Sequence, residues 1–212
     1  MSQARLLRAA FQYFRSDRMR LFEETFEITP QTRILDVGGS PLIWEFCRVR
    51  PRLTILNFPS ALNRGPMRDD LVAADGRLLP FKDKVFDIVF SNSVIEHVGP
   101  RGDQQHFADE IRRVGRSYWV QTPNRFFPVE LHLMLPFVHF LPKPIQQAIV
   151  TRFTLWQHMV EPSEAERQSY INHFLYELNL LDRGTLQSLF PGATILTERI
   201  AGLAKSLVAV SG

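Results

Sequence analysis

The chain has 212 residues, of which 45% are hydrophobic and 22% charged, a composition that suits a folded domain with a sizeable core and excludes a disordered one. Its 25 Lys and Arg against 22 Asp and Glu leave a net charge of only +3, too small an excess to mark a nucleic-acid binder. Cys47 is the single cysteine, which excludes an intrachain disulfide and a cysteine-cluster metal site and fits a reducing compartment; no run is long enough to span a bilayer.

Residues 3–27 carry Leu7, Phe11, Phe14, Leu21, Phe22 and Phe26 at helical spacing, ended by Pro30. Arginine is concentrated here (Arg5, Arg8, Arg15, Arg18 and Arg20), and the pattern predicts a folded helix rather than a secretory leader or an organelle transit peptide. Strands and helices then alternate. Ile34–Val37 reads as a strand, 42–50 as a short helix, Leu53–Leu56 and Leu71–Ala74 as strands, and Val85–Phe90 as a continuous apolar strand interrupted by Asp87. Gln104–Val114 reads as a helix with Phe107, Ile111 and Val114 on one face, and Ser117–Gln121 as the next strand. Short apolar strands alternating with helices imply a parallel sheet covered on both faces. Residues 122–181 are irregular: 126–141 is apolar but broken by Pro128 and Pro136, and 143–160 reads as an amphipathic helix with Pro144 in its first turn. Residues 182–190 read as a short helix. Ala193–Ile200 and Ser206–Val210 read as two strands whose brief connection around Gly202 suits an antiparallel pair.

The residues that carry chemistry fall at strand ends, where open α/β sheets bind ligands. The first strand runs through Asp36 into Gly38-Gly39-Ser40, a turn where backbone comes close to a ligand or to itself. The second ends in Asn57, which meets a ligand hydroxyl or simply closes a turn. Asp75-Gly76 follows the third. Ser91-Asn92 ends the fourth, with Glu96 and His97 next; His97 has the near-neutral pKa of a general base, while Glu96 reads as a residue that orients its loop. The fifth strand ends in Gln121-Thr-Pro-Asn-Arg125, followed by Glu130 and by His132, a second candidate base or a packed polar residue. No metal-ligand motif is visible, since His132 and His139 are seven apart with no carboxylate arranged around them. The separated Gly-x-Gly-x-x-Gly loop of nicotinamide and flavin enzymes is absent.

In this order, Asp36-Val-Gly38, Asp75-Gly76 with Leu79-Pro-Phe81 and Phe86-Asp87, and Ser91-Asn-Ser-Val-Ile-Glu-His97 resemble the class I S-adenosylmethionine (SAM) dependent methyltransferases. Within them the chain is similar to the type 11, ubiquinone/menaquinone-methyltransferase-like branch, and Thr122-Pro-Asn-Arg125 resembles a segment of members associated with sugar or surface-glycan pathways. The likeness is firm at Asp36 and Gly38. It departs at Ser40 and Leu42, where glycine is usual, and at Asn57, where an acidic residue usually holds the ribose. It covers residues 30–125 by motif order and the terminal strand pair by architecture. It implies an α/β, Rossmann-like fold: a mostly parallel seven-stranded sheet with a C-terminal antiparallel hairpin and helices on both faces. One domain, 1–212, would comprise an N-terminal helical cap (1–28) and a helical insertion on the acceptor side (122–181). The cofactor would be SAM, with Asp36, Gly38, Gly39 and Ser40 at its methionine part, Asn57 at its ribose, Asp75 and Gly76 at its adenine, and Ser91 and Asn92 bordering the methyl donor. His97 and His132 would be catalytic, and no metal is expected.

The expected reaction is methyl transfer to a small-molecule, glycan or lipid-linked acceptor, with oxygen preferred as the accepting atom. Weak contact of 126–141 with a membrane surface, aided by the N-terminal arginines, is a minority expectation within a cytoplasmic setting. The rival readings are a degenerate SAM-binding scaffold, suggested by Ser40, Leu42 and Asn57, and a nicotinamide-dependent oxidoreductase, against which the missing phosphate loop counts. No base-flipping motif follows the fourth strand, so a nucleic-acid methyltransferase is not expected.

Overall fold

A computed structural model describes residues 3–58, 70–153 and 162–212. Among these, nine strands are formed: β1 (Arg33–Val37), β2 (Arg52–Asn57), β3 (Asp70–Ala73), β4 (Phe86–Asn92), β5 (Gly115–Pro123), β6 (Val129–Glu130), β7 (Leu135–Pro136), β8 (Thr194–Ile200) and β9 (Leu203–Ser211). Five α-helices accompany them: α1 (Gln3–Phe26), α2 (Arg101–Val114), α3 (Lys143–Val150), α4 (Glu164–Asn172) and α5 (Arg183–Leu189). Seven strands make one sheet in the order β3-β2-β1-β4-β5-β9-β8, while β6 and β7 form a separate small hairpin. The pairs from β3 through β5 are parallel, and β9 is antiparallel to both β5 and β8. The expected seven-stranded, mostly parallel sheet with an antiparallel terminal pair is therefore present.

The alternation of side chains along each strand divides the core in two. Leu35, Val37, Val89 and Val120 meet Phe107, Ile111 and Val114 of α2 and Leu186 and Leu189 of α5. On the other face, Ile34, Ile55, Phe90 and Trp119 meet Met19 and Phe22 of α1. Phe22 lies edge-on to Phe90, Trp119 and Trp44, with centroids 4.9, 5.7 and 5.9 Å away, the geometry aromatic quadrupoles favour. A third cluster joins Leu133, Leu135 and Val138 to Val150, Ile171, Phe174 and Leu175. The bridge between Asn124 and Leu181 and the contacts of His97 with His132 and His173 set the irregular stretch after β5 beside the carboxyl ends of β4 and β5.

The loop between β3 and β4 is fixed from α2. Arg113 donates to Leu79 O, Phe81 O and the carboxylates of Asp83 and Glu110, and Glu110 accepts from Leu79 N–H at 2.6 Å. Lys84 donates to Arg112 O and Gly115 O, satisfying carbonyls at the end of α2. The terminal hairpin turns at Ala201 and Gly202, both at positive φ (47° and 82°), as a tight two-residue connection requires.

Two expectations are corrected, and one helix is added. The segment 42–50 is one short 3-10 helix, Pro41–Phe46, because Pro41 starts it and the backbone is already extended at Cys47. The helix expected over 143–160 ends at Val150, with Thr151–Phe153 in a turn; residues 154–160 lie outside the described residues. The helix α4 was not expected, although Ser163 and Glu166 form a complete capping box at its start. No described helix is long and apolar enough to cross a membrane.

Candidate active site

The order of the sheet reverses between β1 and β4, since the chain leaves β1 toward β2 on one side and returns to β4 on the other. Ligands bind at such a point, beyond the carboxyl strand ends. A cavity of about 360 Å³ opens there, lined by Gly38, Asn57, Asp75, Gly76, Arg77 and His97 among others. Its size falls within the range of small-molecule sites.

Backbone constraints shape the wall. Gly38 has a φ of +77°, donates its N–H to Leu56 O at 2.7 Å, and has no room for a Cβ, which would lie 2.6 Å from Val94 Cγ2. A Cβ on Gly39 would sit 1.7 Å from Asp36 Oδ2. Asp36 therefore lies beneath the glycine turn, fully buried, rather than in the cavity wall. Its Oδ2 accepts from Trp44 Nε1–H at 2.8 Å, and its Oδ1 has no hydrogen-bond partner in the protein. Burial pushes its carboxyl up to about 7, against the lowering effect of the Trp44 hydrogen bond.

Asn57 and Asp75 line the cavity with side chains that are already engaged. Asn57 Nδ2 donates to Gly39 O at 2.9 Å and its Oδ1 accepts from Phe58 N–H, so it ties the second strand to the glycine turn. Asp75 accepts from the Arg77 guanidinium and backbone N–H, and Arg77 also pairs with Asp103 at 3.1 Å. The Arg77 hydrogen bond holds the Asp75 carboxyl below its ordinary value. Arg77 brings a cation into the cavity wall that the sequence reading passed over.

The remaining expected cofactor residues take other positions. Ser40 precedes the 3-10 turn without capping it by its side chain. Ser91 is buried and donates to Val37 O at 3.1 Å, and it is Ser93 that lines the cavity. Asn92 accepts from Arg18, which also donates to Gln121 at 3.1 Å and to both oxygens of Glu198 at 2.5 Å. Arg18 thus binds α1 to the carboxyl ends of β4 and β5 and to β8.

The two candidate bases come together. His97 Nε2 faces His132 Nε2 at 3.3 Å, and His97 Nδ1 faces His173 Nε2 at 2.8 Å. His132 Nδ1 meets Glu130 Oε1 at 2.6 Å, and His173 Nδ1 meets Glu177 Oε2 at 2.6 Å. Glu130 is buried and also accepts the N–H groups of His132 and Leu133. His173 lies in a single turn of π-helix, His173–Glu177, which follows α4 directly. Burial, reinforced by the charges of His132 and His173, lowers His97 to about 3. Burial also lowers His132, but the hydrogen bond and charge of Glu130, with the charge of Glu96, outweigh it and leave its pKa raised. Glu96 is fully buried; its Oε2 accepts from Thr122 Oγ1–H at 3.0 Å, and burial raises its pKa to about 7. Sequence reading missed His173 because nothing local distinguishes a histidine 76 residues from its partner.

A methyltransferase-domain family profile matches residues 56–117, under a third of the chain. Two curated Mycobacterium tuberculosis proteins of uncharacterised role, MT1557 and Rv1509, are each 27% identical over 131 residues, covering 55% of this chain and 44% of their own length. The chain thus matches less than half the length of these relatives. Among solved structures, a Rhodobacter sphaeroides protein provisionally assigned as a Zn-dependent alcohol dehydrogenase has a TM-score of 0.58 at 12% identity, covering 91% of this chain and 87% of that one. Magnesium protoporphyrin IX methyltransferase from Synechocystis, with bound S-adenosylhomocysteine (SAH), has a TM-score of 0.53 at 12% identity, covering 93% and 82%. Haemonchus contortus phosphoethanolamine N-methyltransferase 2, with SAM, has a TM-score of 0.54 at 13% identity, covering 87% and 38%. The chain has the Rossmann-like fold of class I methyltransferases.

Proposed function

We propose that the chain is a SAM-dependent methyltransferase acting on an oxygen of a small-molecule, glycan or lipid-linked acceptor. The observation that carries this reading is that Gly38 of the glycine turn, Asn57, Asp75-Gly76 and His97 line one cavity at the reversal point of the sheet. The cavity suits SAM in two respects. Asp36 Oδ1 is a fully buried carboxylate oxygen without a hydrogen-bond partner, beneath the turn that would hold the cationic methionine part. Gly38 and Gly76 keep the wall open where any Cβ would strike Val94 or Phe107. Gly38, Gly39, Asn57, Asp75 and Gly76 would hold the cofactor. Bound SAM supplies an activated methyl carbon whose sulfur leaves with the bonding electrons.

The protein's own work is then alignment of the acceptor and removal of its proton. His97 stands in the cavity wall with His132 behind it, so this histidine pair is what the protein places beside the acceptor; with burial holding His97 at about 3, it orients the acceptor rather than acting as a strong base at neutral pH. A second reading, a scaffold that binds SAM weakly without transfer, is favoured by the internal engagement of Asn57 and Asp75.

Calorimetric titration with SAM and SAH, beside Asp75→Ala, tests the reading. Saturable binding that weakens about tenfold in the variant, roughly 1.4 kcal/mol, is expected. Transfer of a labelled methyl group to any acceptor of a hydroxyl panel then separates enzyme from scaffold. A folded chain that binds neither ligand overturns both.

A further inference from the structure

With all three imidazoles neutral, as metal-binding histidines are, the hydrogen bonds around them set their tautomers. Glu130 accepts from His132 Nδ1–H, which leaves a lone pair on His132 Nε2. Glu177 accepts from His173 Nδ1–H, so His173 Nε2 is an acceptor and His97 Nδ1 is the donor to it. His97 Nε2 is then also left with a lone pair. These two lone-pair nitrogens face each other at 3.3 Å, an arrangement neutral imidazoles do not adopt without a cation or a shared proton between them. A third electron pair converges on the same place. Glu96 Oε1 is buried, takes no hydrogen bond from the protein, and lies 3.9 Å from His97 Nε2. Ligand atoms of Glu96, His97 and His132 all lie within 4.8 Å of one another.

We propose that Glu96, His97 and His132 bind a divalent transition-metal ion, of which zinc fits best, at the acceptor side of the cavity. Two imidazoles and one carboxylate form the protein ligand set of a catalytic zinc site, with a further coordination position left for a substrate. Tetrahedral coordination at Zn–N distances near 2.0–2.1 Å requires ligand atoms roughly 3.4 Å apart. The two Nε2 atoms already meet that spacing, whereas Glu96, its Oε1 3.9 Å from His97 Nε2 and its ligand oxygen within 4.8 Å of the His132 ligand atom, has to move inward by a side-chain adjustment to complete it. The carboxylate on His132 Nδ1 is the partner metal-bound histidines use, and His97 Nδ1 is held by His173 Nε2, itself backed by Glu177. Thr122 fixes the other oxygen of Glu96. The site rests on the methyl-transfer reading only for its role. There it would hold the hydroxyl oxygen of an acceptor and favour loss of its proton to solvent, a task for a Lewis acid rather than a free imidazole.

The test is titration of the metal-stripped full chain with Zn²⁺, followed by calorimetry, and with Co²⁺, followed by visible absorption. SAM and SAH titrations run in parallel on the same samples. One equivalent of metal and the intense bands of tetrahedral cobalt are expected. Glu96→Gln and His132→Gln should each weaken binding at least tenfold. Glu130→Gln, which touches no metal in this arrangement, should weaken it roughly 10- to 100-fold through His132. Circular dichroism confirms that each variant is folded, and Glu96→Gln, which conserves shape, stands if His132→Gln fails to fold. No uptake of either metal past equivalence by the folded chain overturns the proposal in favour of a shared proton. Binding that survives both Glu96→Gln and His132→Gln overturns it as well. Metal uptake without SAM binding leaves the site standing and sinks the methyltransferase reading, whereas SAM binding without metal uptake does the reverse.

Discussion

Gly38 and Gly39 are adjacent and answer to different constraints. Gly38 sits at φ +77°, where a side chain costs about 1–2 kcal/mol before any contact is counted. Gly39 is required by the space above Asp36. Gly38→Ala is therefore expected to lower the urea-unfolding free energy by at least about 1–2 kcal/mol, with Val94 adding to the cost. An unchanged midpoint would show that the turn relaxes freely. Asp36 yields a pH prediction of definite sign. Its folded pKa, about 7, lies above the ordinary carboxylate value, so the native state holds the proton more tightly than the unfolded one. Wild-type stability should then decline as pH rises from about 4 to about 7 on account of this group and stay flat above. Asp36→Asn removes the titration, so its stability relative to wild type should rise across that window; a difference independent of pH would refute the assignment. At this scale the sequence was legible where the cavity is shaped by backbone. Asp36, Gly38 and Asp75-Gly76 are contiguous with the strands that carry them. It was not legible for Arg77, Ser93 and His173, whose roles come from neighbours that only the folded chain supplies.

Strands buried on both faces announce themselves as apolar runs, and β1, β4 and β5 were read from sequence for that reason. Elements held by caps and short-range geometry were harder. The apolar residues of 42–50 suggest a helix, but the segment forms a six-residue 3-10 helix, Pro41–Phe46, and turns extended at Cys47 ahead of Pro51. Helix α4 has a weak apolar face and was missed, although its capping box was present in Ser163-Glu-Ala-Glu166. This helix matters to the site because Tyr170 donates to His132 O at 3.0 Å and the π turn after it carries His173. Ser163→Ala should cost about 0.5–2 kcal/mol of helix stability. The loss belongs to α4 and its neighbours, not to the sheet, so amide exchange in residues 164–177 should accelerate while β1, β4 and β5 keep their protection. Uniform acceleration across the chain would mean that α4 unfolds only together with the sheet.

At the scale of the whole molecule, Arg18 connects parts far apart in sequence. It reaches from α1 to Glu198 on β8, 180 residues away, and to Asn92 and Gln121 at the carboxyl ends of β4 and β5. Arg18 and Glu198 are 7% and 16% exposed, which makes them a nearly dry ion pair. Burial of such a pair opposes its attraction, whereas removing one member strands the other in a poorly solvated place. Arg18→Met is therefore expected to destabilise the chain by about 3–5 kcal/mol, and to lower the melting temperature by about 2–4 °C for each kcal/mol lost. Arg18→Met combined with Glu198→Met strands neither member of the pair and replaces it with apolar bulk, while buried Lys205 loses the repulsion of Arg18 together with the attraction of Glu198. The double variant should be more stable than Arg18→Met alone, which gives the thermodynamic cycle a large coupling of definite sign. Additive losses would show instead that Arg18 acts through packing against its neighbours. SAM affinity gives the same variants a second readout, because the Arg18 network sits on Asn92, one residue before the cavity-lining Ser93. If α1 is coupled to the site, affinity should fall in Arg18→Met and remain low in the double variant, even where stability recovers.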